Sequence, residues 1–267
     1  MPPHYVKPYV KRNKNDAADA EAICEAVTRP TMRFVSVKNM EQQSVLMLHR
    51  TRDLMVRQRT MLINAIRAHM AEFGIVAPVG VPHVKKLLSI IDDTDDGRLP
   101  VVARSCLESL ARQFVYLNEE ISAAEKQIHA WHRTSEVSRR LETIPGIGPI
   151  SASALAASIT DPEVFKNGRE LAAWIGLVPR QNSTGGKQRL GKISKQGDRY
   201  LRWLLVAGAM SVIRQAKRRG SSNHPWLADI ITRKPAKLAA VALANKNARI
   251  VWALLKQGET YQNPVTV

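Results

Sequence analysis

Two hydroxyl residues lie beside two glycines in the stretch Ser183-Thr184-Gly185-Gly186, and lysines and arginines flank this stretch on both sides. A serine on such a loop can be presented to a phosphodiester, and the cations can neutralise the charge that develops on the phosphate. The spacing GxxxxGKS/T of a nucleotide-binding loop is absent. By residue chemistry alone, a basic glycine-rich loop more often only binds a phosphate backbone, and Ser183 is more often a turn residue.

The candidate phosphate-binding residues are cations of this loop and of the helix predicted after it. Asp198 is expected to cap that helix, which begins at Arg199. The predicted DNA-binding cations are Arg180, Lys187, Arg189, Lys192, Lys195, Arg199 and Arg202.

Asp16 and Asp19 are spaced i, i+3 at the start of another predicted helix, so both carboxylates share one face. Such a pair can bind a divalent metal together with further ligands, as two-metal nucleases require. The competing interpretation is structural, because one acid can cap the helix while the other offsets its dipole. Residue chemistry alone favours the structural interpretation.

A proline–glycine turn, Ile144-Pro145-Gly146-Ile147-Gly148, precedes a segment rich in Ala and Ser. This pattern is typical of a helix-hairpin-helix, in which the glycines let the backbone approach a phosphate and the amides of the next helix donate to it. Gly146 and Gly148 are therefore predicted to bind DNA. An ordinary turn between two packed helices is the alternative, and the basic surroundings favour phosphate binding.

The 267-residue chain carries a formal net charge of +17 at pH 7. Between Lys166 and Lys256 there are 19 Lys or Arg but three Asp or Glu, so most of the excess charge lies in one half. Nucleic acid is the favoured partner of such a surface. The sequence shows neither a run of about 18 apolar residues nor a secretory signal, so no membrane partner is expected. A cytoplasmic, nucleoid-associated location in a bacterium is expected instead.

The hydrophobic pattern predicts a mainly α fold. A helix is expected from Asn15 or Asp16 to Val27, and two long amphipathic helices from Asn39 to Phe73 and from about Pro100 to Thr134. Two such helices joined by a loop indicate an antiparallel hairpin or coiled coil.

Side-chain types also predict which large groups are buried. Cys24 and Cys106 have no CxxC partner, so both are expected to be buried thiols rather than zinc ligands or a disulfide. Trp203, Trp226 and Trp252 are expected to anchor the core rather than stack on bases.

Five blocks of sequence together resemble the DEDD-type insertion-sequence transposases, a family whose members use a guide (bridge) RNA. The resemblance runs over nearly the whole chain, and the order and spacing of the blocks make it specific. The blocks are Lys11 to Ile23, Ile144 to Pro149, Ala172 to Pro179, the loop around Ser183, and Gly197 to Arg202.

This resemblance implies an RNase H/RuvC-like domain with four metal-binding acids, a coiled coil, and a transposase domain with a nucleophilic serine. Asp16 and Asp19 match the last two acids, which implies Mg²⁺ as the cofactor. Ser183 matches the serine, with Thr184 and Ser194 as less favoured placements. The resemblance therefore reverses the structural interpretation at both sites.

On this resemblance the chain divides into a C-terminal remnant of the RuvC-like domain, a helical hairpin, a transposase domain with the helix-hairpin-helix, and a tail; these are residues 1–37, 38–136, 137–260 and 261–267. The family's first Asp and its Glu lie upstream of the position of Asp16, so an N-terminally truncated and catalytically impaired product is expected. DNA, guide RNA and further copies of the chain, as a dimer or tetramer, are the expected partners. The alternative function is a non-catalytic DNA-binding regulator or inhibitor derived from a transposase.

Overall fold

The computed structural model describes residues 3–11, 15–30, 32, 34–219 and 225–262, and this part of the chain confirms a mainly α fold with one small sheet. The helices are α1 (Pro3–Val6), α2 (Asp16–Val27), α3 (Met40–Ala71), α4 (Val84–Asp92), α5 (Val101–Thr134), α6 (Glu136–Glu142), α7 (Pro149–Ser158), α8 (Gly168–Ile175), α9 (Arg199–Arg219), α10 (Pro225–Arg233) and α11 (Ala236–Gln257). The strands are β1 (Pro179–Gln181) and β2 (Leu190–Ile193), and 3-10 turns lie at Lys7–Tyr9, Val81–His83 and Pro162–Val164.

The chain forms two compact units. The first, here called the long-helix unit, is the segment Ser44–Trp131. The second, here called the terminal unit, combines Met1–Gln43 with His132–Val267 and contains every residue that the sequence nominated for chemistry or DNA binding.

In the long-helix unit α3 and α5 run antiparallel, as the sequence predicted. Arg52 is paired with Glu125, Arg59 Nη1 donates to Asn118 Oδ1 at 2.8 Å, and Ile63 packs with Phe114. Residues later in α3 therefore contact residues earlier in α5, which is the order expected of antiparallel helices. Burial of apolar side chains between these helices and α4 supplies the main stabilisation. The buried cluster consists of Ile66, Met70, Ile75, Ala77, Leu87, Ile91, Leu99 and Leu107.

The two cysteines are exposed, so the prediction of buried thiols is wrong. The buried residues of α2 are Ala22 and Ala26, which lie on the same side of the helix. Cys24 lies midway between them in sequence, so its side chain points to the opposite, exposed side. On α5 the neighbouring Leu107 faces the core in place of Cys106. An apolar neighbourhood in sequence therefore did not identify the buried face.

The terminal unit is organised around α11, which packs against α9, α8 and α6. By length and mean hydropathy alone, α11 is the one helix in the described part of the chain that could cross a membrane. Its apolar character is accounted for by its central place, because its inward residues are closed off from solvent. These buried residues are Ala239, Ala240, Leu243, Ala244, Asn247, Ala248, Val251 and Leu254.

Among the three tryptophans predicted to anchor the core, only Trp252 does so. Its Nε1 donates to the carbonyls of Pro162 and Phe165 at 3.1 and 3.2 Å, which ties α11 to the turn before α8. Trp203 and Trp226 are 52% and 38% exposed, so the prediction is wrong for both. Each lies within the first five residues of its helix, Trp203 in α9 and Trp226 in α10.

Candidate nucleic-acid interface

The predicted glycine-rich loop forms a β-hairpin. Strands β1 and β2 pair antiparallel, with Pro179 opposite Ile193 and Gln181 opposite Leu190 across a bulge. At the tip Lys187 N donates to Thr184 O at 3.1 Å. Gly185 and Gly186 between them have φ of +55° and +75°. Two successive positive φ values define a type I′ turn, which is the turn that Gly-Gly favours in hairpins.

The base of the hairpin is fixed to α8 by two close backbone approaches. A Cβ placed on Gly197 would lie 1.7 Å from the carbonyl oxygen of Trp174, and one on Gly176 would lie 2.0 Å from that of Gln196. Only glycine fits at both positions, which have φ of +72° and +83°. The hairpin is therefore held firmly at its base while its tip projects.

Arg202, one of the predicted DNA-binding cations, reinforces this base. Its Nη1 donates to the carbonyls of Ile175 and Gln196 at 2.7 and 2.8 Å. Partial burial lowers the pKa of this guanidinium from its usual value. Asp198 caps α9 as predicted, because its Oδ1 accepts from Tyr200 N at 2.7 Å and from Leu201 N at 3.0 Å.

The three hydroxyl candidates occupy different places. Ser183 and Thr184 are exposed at the tip, where Ser183 Oγ accepts from Arg189 N at 3.3 Å. Ser194 is half-buried at the base, and its Oγ accepts from Gln196 N at 3.4 Å. A nucleophile must reach a bulky DNA strand, so the tip suits Ser183 or Thr184 better than the base suits Ser194.

The remaining predicted cations lie around the hairpin. Arg180 folds back along β2, where its Nη2 donates to Ser194 O at 3.2 Å. The other five are exposed, so the hairpin presents positive charge to solvent on the strands and at the tip; they are Lys187, Arg189, Lys192, Lys195 and Arg199. Such charge attracts a phosphate backbone without reading its sequence.

The proline–glycine turn joins α6 to α7, and its Gly146 is explained by packing. Gly146 has φ of +87°, and a Cβ on Gly208 of α9 would lie 1.8 Å from the Gly146 carbonyl oxygen. Asn247 Nδ2 of α11 donates to Pro145 O at 2.9 Å. Gly148 precedes α7, and a Cβ there would meet nothing within 4 Å. The two glycines that the sequence treated together therefore have different environments.

The acid pair lies in the first turn of α2, which begins where the sequence predicted. Asn15, rather than either acid, caps the helix, because its side chain accepts from Ala17 N at 2.9 Å. Asp16 and Asp19 are both exposed. Within the described ranges no group of three or more His, Cys, Asp or Glu is positioned to hold a metal ion. Carboxylate oxygens are the ligands that hard divalent cations prefer, so a metal at this pair would need further oxygen ligands from elsewhere.

Further cations of the terminal unit were not singled out from the sequence. Arg169 at the start of α8, and Lys246 and Arg249 on α11, line one groove with Lys192 of β2. They are spread over about 80 positions of sequence, so no local motif joins them. The surplus of basic residues in this half was the one signal that pointed to them.

Two family models match separate segments of the chain. The sequence model described as "Transposase IS116/IS110/IS902 family" matches residues 138–224, which hold the turn and the hairpin. A second model, of DEDD transposases, matches residues 2–75, which hold the acid pair. The "Probable family 20 transposase" of Pseudomonas aeruginosa is 49% identical over 261 residues, which is 97% of this chain and 77% of the relative.

The chain belongs to the IS110/IS116 family of insertion-sequence transposases. The "Transposase for insertion sequence element IS1328" of Yersinia enterocolitica is 41% identical over 97% of this transposase and 77% of that protein. The resemblance drawn from the sequence is thus confirmed. Membership assigns the transposase a general role in DNA modification with DNA as its partner, and the DEDD match implies dependence on a divalent metal in general.

Proposed function

We propose that this transposase cuts and rejoins DNA as the recombinase of a mobile insertion sequence, with Ser183 as the nucleophile. The observation that carries the proposal is the position of Ser183 at the exposed tip of a cationic hairpin whose base is fixed to α8. A rigid base and a projecting tip place the hydroxyl where a DNA strand can reach it. Arg189 faces Ser183 across the hairpin through its backbone amide, and Lys187 pairs with the neighbouring Thr184. The charges of the exposed Arg189 and Lys187 side chains would offset negative charge near the tip.

The proposed step is a phosphoryl transfer. Ser183 Oγ attacks a backbone phosphorus, a serine–phosphate ester bond forms, and one phosphorus–oxygen bond of the DNA breaks. The serine proton passes to a base, and the broken bond leaves a deoxyribose hydroxyl that takes up a proton. Attack of a second DNA hydroxyl on the same phosphorus reverses the sequence and rejoins the strand.

Mg²⁺ is the proposed metal, bound by Asp16 and Asp19 together with further ligands. When bound, it would polarise phosphate oxygens and lower the barrier to attack. Both carboxylates are exposed on one face of α2, so they are accessible to a metal that also contacts DNA.

A guide RNA and a homo-oligomer are the further proposed partners. The family resemblance supports the RNA, and an exposed line on α3 supports the oligomer. Met47, Leu54 and Met61 recur every seven residues and are 67%, 47% and 69% exposed. A seven-residue apolar repeat is typical of a helix that packs along a second helix. Met47→Glu combined with Met61→Glu is expected to dissociate the oligomer in analytical ultracentrifugation, whereas Thr60→Glu, on another exposed face, leaves it intact.

The test of the function is a covalent-adduct assay with DNA that carries the sequences flanking the gene. Wild-type protein with Mg²⁺ and the transcribed guide RNA is expected to form a protein–DNA adduct that survives denaturation. Ser183→Ala is expected to abolish the adduct while DNA binding is kept. If the adduct persists in Ser183→Ala, the nucleophile is misassigned, and Thr184→Ala and Ser194→Ala identify which hydroxyl replaces it.

A non-catalytic DNA-binding regulator is the second candidate function. The observation that favours it is that the described residues bring no third acid, His or Cys to Asp16 and Asp19. These 267 residues alone would then bind DNA without cutting it. Salt-dependent binding without any adduct in the same assay establishes this alternative, because phosphate contacts lose orders of magnitude in affinity between low and moderate salt.

A further inference from the structure

A groove in the terminal unit runs between the hairpin and α11. One wall is the edge of the hairpin at Gly191, Lys192 and Ile193, and the other is formed by Trp226 of α10 and by α11. Its volume is about 1080 Å³, and it is open to solvent. Small-molecule pockets are usually about 300–1,000 Å³ and enclose their ligand. The groove therefore suits an extended chain better than a compact ligand.

The walls of the groove are held by contacts that span the unit. Gly168 at the start of α8 lies so close to α11 that a Cβ would be 2.9 Å from the Arg249 Cα and carbonyl oxygen. Asn245 Nδ2 of α11 donates to Leu177 O, just before β1, at 3.2 Å. The shape of the groove is thus formed before any ligand binds, which lowers the entropic cost of binding.

The charge of the groove selects an anion. Arg169, Lys192, Lys246 and Arg249 line it, and none of its described lining residues is acidic. In the described part of the chain none of these four cations forms an ion pair with a carboxylate. Four cations without an acidic neighbour in the lining favour a ligand that carries several negative charges, such as the phosphates of a nucleic acid.

The part of the lining formed by α10 and α11 includes apolar side chains. Leu238 is 59% exposed, Trp226 is 38% exposed, and Val241 and Ile250 lie alongside them. Lys246 Nζ lies 4.4 Å from the centre of the Trp226 ring, so a cation and an aromatic face stand together. Apolar and aromatic surface binds the faces of nucleobases, which are accessible in a single strand and stacked away in a duplex.

We propose that this groove binds single-stranded DNA, with an unpaired base against Trp226 and Leu238 and the flanking phosphates on the four cations. The inference rests on the proposed function in one respect, namely the choice of DNA. Lys192 belongs to β2 of the hairpin that carries Ser183, so the groove and the proposed nucleophile share one element. The groove would hold the strand that becomes unpaired when DNA is opened for exchange.

The test measures binding of the full chain to labelled oligonucleotides by fluorescence anisotropy, at one salt concentration to compare the probes and over a series of salt concentrations to obtain slopes. The probes are a 15-nucleotide oligo(dT), a 15-base-pair duplex and a 15-nucleotide oligo(rU). Trp226→Ala is expected to weaken oligo(dT) binding by about tenfold and duplex binding by less than about threefold, since stacking on an aromatic side chain contributes only to the single strand. Trp226→Phe, which keeps a ring, is expected to recover most of the loss.

Arg249→Gln gives a second, independent reading, because Arg249 is exposed and its loss does not open the core. In a plot of log affinity for oligo(dT) against log salt concentration, the magnitude of the slope is expected to fall by about one, which corresponds to the loss of one phosphate contact. Arg112→Gln and Trp203→Ala, an exposed cation and an exposed indole outside the groove, are the matched controls and should leave oligo(dT) binding unchanged. Thermal unfolding of each variant checks that the fold is kept.

Each other outcome overturns the inference. If Trp226→Ala loses affinity equally for the duplex and for oligo(dT), the groove is a general DNA-binding surface. If the wild-type protein binds oligo(rU) at least about tenfold more tightly than oligo(dT), the groove is an RNA site. Unchanged oligo(dT) binding in both groove variants means that the groove is not used. The two proposals fail separately: an adduct that persists in Ser183→Ala rejects the nucleophile, and unchanged oligo(dT) binding in both Trp226→Ala and Arg249→Gln rejects the groove.

Discussion

The proline–glycine turn and the tip of the β-hairpin are both glycine-rich, and both were predicted to contact phosphate. The structure, however, requires glycine at the two places for different reasons. At the turn, Gly146 is packed against Gly208 so closely that neither position has room for a side chain. At the tip, a Cβ on Gly185 or Gly186 would meet nothing within 4 Å, and only their positive φ values favour glycine.

Gly146 of the turn therefore allows close packing, whereas the glycines of the tip allow the chain to reverse direction next to Ser183. The turn connects α6 to α7 and is covered by α9 and by Asn247 of α11, so changing it disturbs the core of the terminal unit. The tip touches no core element, so changing it alters how Ser183 is presented. Stability measurements on single substitutions should therefore rank the two regions.

The largest effect is expected from Gly208→Ala. The new Cβ would lie 1.8 Å from the Gly146 carbonyl oxygen, so α9 must move away from the turn. We expect a loss of about 3 kcal/mol in the free energy of unfolding, measured by urea denaturation, despite the better helix propensity of alanine. Arg214→Ala, an exposed change on the same helix, should stay within about 0.5 kcal/mol. An unchanged midpoint in Gly208→Ala would show that α9 does not contact the turn.

Gly146→Ala should follow with a loss of about 2 kcal/mol. Its Cβ would lie 2.9 Å from both Gly208 O and Val212 Cγ2, and a residue with φ of +87° is strained when it carries a side chain. The same denaturation experiment measures the loss. A result as small as that of a tip variant would remove the distinction between the two regions.

Asn247→Ala tests the hydrogen bond by which α11 holds the proline–glycine turn. The change leaves Pro145 O without the 2.9 Å hydrogen bond and removes a buried side chain, so a loss of about 1–2 kcal/mol is expected. Urea denaturation gives the value, and the double variant with Gly146→Ala should lose less than the sum, because both changes loosen one contact. Strict additivity would count against a shared contact.

The smallest effect is expected from Gly186→Ala at the tip. The strain of positive φ can be relieved by fraying of the local turn, so the global free energy of unfolding should change by about 0.5 kcal/mol or less. Hydrogen exchange at the amide of Lys187, which donates to Thr184 O, should become faster. A global loss comparable to that of Gly146→Ala would mean that the tip is part of the core after all.

Much of the fold followed from local sequence. Residue propensity and capping placed α2 at Asp16–Val27, and the long hydrophobic patterns placed α3 and α5 within about two residues of their observed ends. The cap of α9 at Asp198 was predicted as well. These features depend on contacts within one or two turns of helix, which are encoded side by side in the chain.

The predictions that were wrong concern the direction in which a side chain points rather than the type of element that carries it. Cys24 and Cys106 were expected to be inside because their neighbours are apolar, and Trp203 and Trp226 because they are large. For Arg202 the sequence did not indicate that Nη1 donates to two backbone carbonyls, and its role as a DNA-binding cation stays a prediction. A sequence pattern names a side chain, but the packed elements around it decide where it points.

By itself, the sequence determined a mainly helical chain, a strongly basic C-terminal half, and membership of a transposase family. The tertiary structure decided that Ser183 lies at a projecting tip, that Gly146 is required by α9, and that cations from α8, β2 and α11 share one groove with Trp226. The physical reason is that helices and turns form through neighbours in sequence, whereas a site is made by side chains that only packing brings together.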